Sequence, residues 1–583
     1  MTPRHAHAMP YGAKPLGDGR VRFRLWAPDV DSAAIECEDG GTSTLRGLDD
    51  GWFECVCDVA IGAGYRFRLG NDLAIPDPAS RRQRDGDVHG YSVVVDPGSY
   101  AWRHDDWVGR PWRETVLYEL HVGAFGGYRG VRDALPGLAA LGITAIELMP
   151  IAEFAGERNW GYDGVLPFAP AAAYGSPDEL KAMIDDAHGL GLMVFLDVVY
   201  NHFGPEGNYL GAYASPFFDE GIHTPWGAAI GVSTPQVGDY FVHNALYWLE
   251  EYRFDGLRFD AVHAIGNPGW LSSLAARVHA SIGPDRHVHL VLENEANQAH
   301  LLGRGRFDAQ WNDDFHNALH VLLTDESEGY YQHYHPPMEK LLRSLREGFA
   351  FQGEAMGDKR RGEPSAHLPA VRFVNFLQNH DQVGNRALGD RLTSLVPEET
   401  MEAALVLLLL APFVPMLFMG EEWGSRTPFL FFTDFPDEAL RKAVRDGRRK
   451  EFEGFAGFSG EDIPDPNARD TFERSVPGPD ATVGNARHEL VRELIAVRRE
   501  HLVPHLDDAR GEHAQALGEK AFVACWSLGS TRLTLFVNLG DTDVTLERPP
   551  SPAAAWLHGS ASDIAAVSRG AIPARRALAC LES

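Results

Sequence analysis

The sequence predicts an α/β fold: an eight-stranded parallel β/α (TIM) barrel with an N-terminal β-sandwich and a C-terminal β-domain. Three observations predict it. The chain has 583 residues, beyond the ~250–300 at which single cores stop growing, so several domains are expected. From residue 111 onward, short apolar runs alternate with helical stretches about eight times, which argues for a closed parallel barrel rather than an open sheet. Toward both ends the residues alternate with period two between Gly, Pro and Asp clusters, the mark of antiparallel strands.

Residues 1–108 read as the sandwich, with Val21-Arg-Phe-Arg-Leu-Trp26 and Tyr65-Arg-Phe-Arg-Leu69 as two of its strands. Its role is either sugar binding or packing. Residues 109–502 carry the barrel. Strands are expected near 116–121, 145–149, 193–200, 256–260, 289–293, 310–313, 372–379 and 415–419, and helices near 131–141, 178–190 and 239–252. Segments 203–237 and 325–368 read as long loops, and such loops build the site at the C-terminal face of a barrel. An irregular stretch follows at 421–484, and a helix near 489–500 closes the barrel. Residues 503–583 form the C-terminal β-domain, with strands near 522–528 and 532–537.

Composition narrows the chemistry. Hydrophobic content of 44% and charged content of 23% are those of a globular protein. The formal net charge of -29 argues against nucleic acid or an anionic membrane as partner and suits a neutral substrate. The cysteines, Cys37, Cys55, Cys57, Cys525 and Cys580, show no metal-ligand spacing, and Cys55 and Cys57, two apart on one face of a strand, read as buried thiols. Their odd, sparse count fits a reducing, cytoplasmic setting. Residues 1–16 contain no apolar core of a secretory signal. Segment 404–419 is apolar but falls short of the ~20 residues of a membrane span. It carries Pro412 and Pro415, and reads as a buried helix, a turn and a buried strand.

Chemistry concentrates at Phe254-Asp255-Gly256-Leu257-Arg258-Phe259-Asp260-Ala261-Val262-His263. Leu257, Phe259 and Ala261 alternate with Arg258 and Asp260, so the last two point to one side of a strand. A guanidinium beside a carboxylate favours its ionised form, and an ionised carboxylate on a rigid strand can be a nucleophile. Alone, such a pair can equally be a strut between strands. Here polar groups recur where other strands end: Asp197 to His202, Glu293 to Glu295, Trp311 to Asn317 and Gln378 to Gly384. Charged groups at the ends of apolar strands are costly unless they serve a site. No phosphate-cradling glycine loop, dinucleotide fingerprint or metal cluster is seen. Three carboxylates with His, Arg and aromatic residues on a barrel rim suit glycosidic bond cleavage, which needs an acid for the leaving oxygen and a second carboxylate to attack or direct water.

Asp197…His202, Gly256-Leu-Arg-Phe-Asp260, Glu293 and Asn379-His-Asp381 resemble the four short motifs of the α-amylase family (glycoside hydrolase family 13), in that order and spacing. Gln378-Asn-His-Asp-Gln-Val-Gly-Asn-Arg-Ala-Leu-Gly-Asp-Arg-Leu392, Gly420-Glu-Glu-Trp-Gly424, Pro428-Phe-Leu-Phe-Phe-Thr-Asp434, Glu147-Leu-Met-Pro-Ile-Ala-Glu-Phe154 and Trp160-Gly-Tyr-Asp-Gly164 resemble the maltooligosyltrehalose trehalohydrolases within it. The resemblance implies that Asp260 is the nucleophile, Glu293 the general acid and then base, and Asp381 the third carboxylate. It implies that Arg258 holds Asp260, that His202 and His380 donate to sugar hydroxyls, and that Tyr162 stacks on the ring. His263, Asp313, Asp314, His316 and Gln382 are candidate subsite residues, Trp226 in the loop after the third strand is either a sugar platform or a packing residue, and Asp197 resembles a brace.

The implied reaction is retaining hydrolysis of the α-1,4 bond next to the terminal α,α-trehalosyl unit of maltooligosyltrehalose, releasing trehalose and a maltooligosaccharide. No cofactor or metal is expected, and maltooligosyltrehalose synthase would be the functional partner. A glycogen branching or debranching enzyme on the same scaffold stays open, because fold does not fix function. A non-catalytic sugar-binding relative would have lost a catalytic carboxylate, and all three are present.

Overall fold

The computed structural model describes residues 5–224, 227–357, 359–452, 463–478 and 484–582. Eight parallel strands close into a barrel in chain order: β1 (Leu117–Leu120), β2 (Ala145–Leu148), β3 (Met193–Val198), β4 (Gly256–Phe259), β5 (His289–Leu292), β6 (Ala309–Trp311), β7 (Phe373–Phe376) and β8 (Val414–Phe418). The circle is closed by β8 on β1, with Glu119 opposite Phe418. Every residue of these strands is buried, as helices on the outside and side chains on the inside require. Their polar members, among them Glu119, Glu147, Asp197 and Arg258, therefore sit in an apolar setting.

The helices form where apolar residues recur at helical spacing. In Gly127–Leu141 the buried residues Val131, Leu135 and Leu138 share one stripe. Pro177–Gly189 starts with a reciprocal cap: the Ser176 hydroxyl accepts from the Glu179 amide and the Glu179 side chain accepts from the Ser176 amide. Segment 404–419 folds as the sequence predicts, into the buried end of the helix Glu398–Leu410 and the strand β8. No described helix is long and apolar enough to cross a membrane.

The two segments read as loops hold more structure. After β3 the chain makes a hairpin, Phe218–Thr224 with Gly227–Ile230. After β6, segment 325–368 contains a helix, Pro337–Glu347, and a hairpin, Glu354–Met356 with Lys359–Arg361. The helix is amphipathic, burying Leu341 and Leu345 and packing Met338 and Leu342 against the same core. Its single stripe of four apolar residues is too short to stand out among charges, and tertiary packing supplies its stability.

The N-terminal domain has two antiparallel sheets. One contains Gly12–Pro15, Arg20–Trp26, Arg46–Gly47 and Trp52–Asp58; the other contains Ala33–Cys37, Thr42–Thr44, Gly64–Leu69, Ala74–Ile75 and Ser92–Val93. Arg81 ties this domain to the barrel, donating to both oxygens of Glu251 at 3.2 and 3.3 Å and to the Ala13 carbonyl at 3.0 Å. The C-terminal domain is built on a five-stranded antiparallel sheet, and the Trp526 indole donates to the Leu345 carbonyl at 2.9 Å, anchoring it to the helix 337–347.

Behind β8, Arg498 is wholly buried and satisfies the Leu409, Ala411 and Phe413 carbonyls between the 398–410 helix and the strand. Burial without a carboxylate pushes its pKa down to about 9. Arg498→Met leaves three carbonyls without donors, and a loss of about 3–5 kcal/mol is expected. Thermal unfolding measures it, and an unchanged midpoint would show that water fills the gap at no cost.

Candidate active site

The site is built at the C-terminal ends of the strands around one guanidinium. Arg258, on β4, donates from Nη1 to Asp197 Oδ2 at 2.7 Å and to Asp260 Oδ1 at 2.8 Å. Its Nη2 lies 3.9 Å from Glu293 Oε2. Its guanidinium carbon lies over the Trp311 ring at the end of β6, 4.1 Å from the ring centre. Register dictates the first contact, since Asp197 of β3 stands directly opposite Arg258.

Asp260 follows the last residue of β4. Its Oδ2 accepts from Asn201 Nδ2 at 2.7 Å, so each carboxylate oxygen has its own donor. The next residue, Ala261, has φ 40°, a left-handed conformation that is uncommon for a residue with a side chain. That turn aims the Ala261 amide at Glu293 Oε2, 2.6 Å away. Glu293 itself is fixed by its amide on the Phe259 carbonyl and its carbonyl on the Val262 amide. Burial, reinforced by Asp260, Asp313 and Asp381 against the pull of Arg258, raises the Glu293 pKa well above the usual carboxylate range. A carboxyl that keeps its proton near neutral pH can act as a general acid.

A cleft of about 450 Å³ opens over these groups. Of the residues singled out in the sequence, Tyr162, His202, Arg258, Asp260, His263, Glu293, Asp313, His380, Asp381 and Gln382 line it together. The turn that delivers Tyr162 needs Gly161, whose φ is 104° and whose added Cβ would fall 2.0 Å from the Pro150 carbonyl. Tyr162 donates to Asp197 Oδ2 at 2.6 Å and stacks on the His380 ring, centroids 5.0 Å apart. Asp197 is thus held by two donors beneath the site. Asp381 lies in the first turn of the short helix His380–Gly384, where the Asn379 side chain accepts from the Gln382 amide at 2.8 Å. Asp313, the first residue of helix Asp313–Thr324, has its pKa raised to about 7 by burial and by the Asp381 and Asp314 charges.

Three expected subsite residues behave differently. Asp314 does not line the cleft. Its Oδ1 accepts from the Tyr334 hydroxyl at 2.7 Å and pairs with Arg361 at 3.0 Å; its Oδ2 accepts from Asn297 Nδ2 and from the Ala350 and Phe351 amides. It is one turn face away from Asp313 and braces the loop after β6. His316 is also buried behind the wall, its ring stacked on Phe376 at 5.5 Å. His202 reaches the cleft, but Nδ1 meets Asn201 Oδ1 and Nε2 meets the Tyr162 carbonyl at 2.9 Å. Both ring nitrogens therefore face protein oxygens. Trp226 lies outside the described residues.

The sequence reading missed Glu119, Asn201, Trp160, Trp311, Tyr334, Met356 and Arg361, all at or next to the cleft. Asn201 and Trp311 stand inside stretches already marked by their strand ends. Glu119 is a carboxylate within an apolar strand, the same signal that marked β4. Tyr334, Met356 and Arg361 come from the long loop after β6, where no local pattern foretells which side chain turns inward.

A barrel whose strand ends bring Asp260, a Glu293 carboxyl of raised pKa and Asp381 to one open cleft has the arrangement of a glycoside hydrolase of the α-amylase type. A sequence profile described as Alpha amylase, catalytic domain, matches residues 80–217, and a second, described as a domain of unknown function, matches 509–579. The chain is 43% identical to a malto-oligosyltrehalose trehalohydrolase of Deinococcus radiodurans, over 85% of this chain and 84% of that protein. It is 39% identical to one of Rhizobium sp. (strain M-11), over 92% of this chain and 94% of that protein. A crystal structure of a Salmonella typhimurium chain, described as a candidate alpha amylase, superposes with a TM-score of 0.92 at 42% identity, covering 99% of this chain and 100% of that one. The chain belongs to the malto-oligosyltrehalose trehalohydrolase family. A 1,4-alpha-glucan branching enzyme of Burkholderia thailandensis matches over only 41% of this chain and 32% of its own length.

Beneath the site Glu147, 1% exposed on β2, has no partner for either carboxylate oxygen. Burial first, then the Glu119 and Asp197 charges, raises its pKa well above the ordinary value. Folding therefore takes up a proton there. That stability is fully present below the ordinary carboxylate range and is lost as pH rises through the raised value. Glu147→Gln, neutral at every pH, is expected to lose less melting temperature than the unsubstituted protein between pH 6 and 9; parallel pH profiles would rule the buried proton out.

Proposed function

We propose that this protein hydrolyses the α-1,4 bond next to the terminal α,α-trehalosyl unit of maltooligosyltrehalose, releasing trehalose and a shortened maltooligosaccharide. The observation that carries the reading is the pairing of Asp260 and Glu293 about Arg258, one carboxylate with a donor on each oxygen and the other a carboxyl that keeps its proton. In this reading Asp260 attacks the anomeric carbon of the glucan. Glu293 protonates the oxygen that leaves with trehalose, and a covalent glucosyl-enzyme results. The Glu293 carboxylate then takes a proton from water, which displaces Asp260. Two inversions give net retention. Asp381 binds ring hydroxyls and steadies the oxocarbenium-like transition state. Arg258 and Asn201 keep Asp260 aimed, and His263, Asp313 and Gln382 hold neighbouring glucose units.

The same barrel and carboxylates serve branching enzymes, which pass the glucan to another sugar hydroxyl rather than to water. The identity to trehalohydrolases along most of the chain favours water as acceptor and trehalose as leaving group. A substrate with a trehalosyl end requires an enzyme that makes one, so a maltooligosyltrehalose synthase is the functional partner we propose.

Incubation with maltooligosyltrehalose followed by sugar analysis tests the reading. Free trehalose is expected, with the maltooligosaccharide first appearing as its α-anomer by NMR; new α-1,6 branches, or a β-anomer, would contradict it. Asp260→Asn is expected to lower kcat by about 10⁴-fold or more, the scale of losing a member of a catalytic constellation. Because Glu293 must hold its proton, kcat/KM is expected to fall as pH rises through its elevated pKa. A profile flat through the alkaline range would remove Glu293 as the acid.

A further inference from the structure

Glu119 on β1 is 1% exposed and touches no sugar-facing space, yet both of its oxygens are spent on one residue of the cleft. Its Oε2 accepts from the His380 amide at 2.9 Å, and its Oε1 lies 2.5 Å from His380 Nδ1. We propose that Glu119 is a positioning residue that clamps His380 by backbone and ring and makes it an imidazolium, so that Nε2–H faces the cleft as a charged donor to a sugar hydroxyl. The proposal rests on the glycosidase reading of this cleft and adds to it a group outside the four strand-end motifs.

The argument is one of donors and acceptors. A carboxylate offers only acceptor oxygens, so Nδ1 carries the hydrogen. A neutral ring protonated at Nδ1 would show the cleft a bare nitrogen; only the cation donates from both sides. A charge-assisted hydrogen bond is roughly twice as strong as a neutral one.

The surroundings decide whether the cation survives. Burial alone lowers the His380 pKa, but the Glu119 charge and hydrogen bond, with Asp381, outweigh burial and Arg258 and leave it raised. The other titratable groups facing the ring are Tyr162, Asp197 and His121; burial first, then the His380 charge, lowers the His121 pKa to about 4. Glu147 stands opposite Glu119 in the β1–β2 register. Its raised pKa keeps it a neutral neighbour, so it neither competes for His380 nor repels Glu119 as an ion. The ring itself is pinned by Tyr162 on its face and Trp160 at its edge, centroids 5.0 and 5.6 Å away.

The test is a double-mutant cycle with a spectroscopic readout. Glu119→Gln is expected to lower kcat/KM on maltooligosyltrehalose by about 10–100-fold, the scale of losing a partner that orients a contact residue. In a His380→Gln background the same change is expected to cost less than about 2-fold, because the two act as one unit. Equal losses in both backgrounds would reduce Glu119 to a strut and overturn the proposal. Independently of turnover, the ¹⁵N imidazole signal of His380, assigned by its loss in His380→Gln, is expected to deprotonate at lower pH in Glu119→Gln than in the unsubstituted protein. Glu119→Asp, which keeps the charge, is expected to hold the titration closer to the original. Identical titrations in all three would sink the proposal even if trehalose release is fast, and shifted titrations would sustain the clamp even if the protein released no trehalose.

Discussion

Arg258 is the constraint on which the site depends. One guanidinium fills the barrel mouth between β3 and β5, and its donors fix Asp197 and Asp260 while its far nitrogen approaches Glu293. Trp311 supports it from β6 by a stacked face. A lysine could not do this: a point charge has no plane to stack and no fork to divide between two strands. The parallel register supplies the precision. Residues two apart on β4 point the same way, and β3 places its own carboxylate exactly one strand over, opposite the arginine.

That cation sits among more carboxylates than it can neutralise. The remaining charge is handled by protons, by Arg361 beside Asp314, and by His380. Glu293 and Glu147 are pushed toward the neutral form by burial, and His380 is pulled toward the cationic form by Glu119. The outcome separates roles by environment rather than by residue type. Asp260 has a donor on each oxygen, which suits the nucleophile of the proposed reaction, whereas Glu293 has one amide and a distant guanidinium, which suits its acid. Two acids of similar intrinsic strength thus serve opposite ends of one bond cleavage.

The barrel was legible because its strands are short apolar runs at regular spacing, and the three acids because each ends such a run. Contacts that depend on the backbone were not. Ala261 gives no hint of a positive φ, yet its turn is what points an amide at Glu293. Asp313 and Asp314 look alike as neighbours in the chain, but a helix turns them about 100° apart, and only the first faces the cleft. His202 carries the right motif position, but its neighbour Asn201 captures one nitrogen and the turn at Tyr162 the other. The helix 337–347 escaped notice because its apolar stripe is only long enough to matter once Trp526 and the C-terminal sheet cover it.

Specificity has to come from that less legible part. The acids and Arg258 act on the bond, and they would act equally on any α-glucoside placed there. Part of the cleft wall is made by Tyr334, Met356 and Arg361, which enter from the segment after β6. Asp314 ties this wall by five polar contacts, to Asn297, Tyr334, Ala350, Phe351 and Arg361, although the wall belongs to no barrel strand. A preformed wall pays its ordering cost at folding rather than at binding. The charge that holds it is therefore spent behind the cleft, on Asp314, which takes the Tyr334 hydroxyl and pairs with Arg361. A wall neutralised from behind in this way suits recognition of an uncharged sugar by shape and hydroxyl placement.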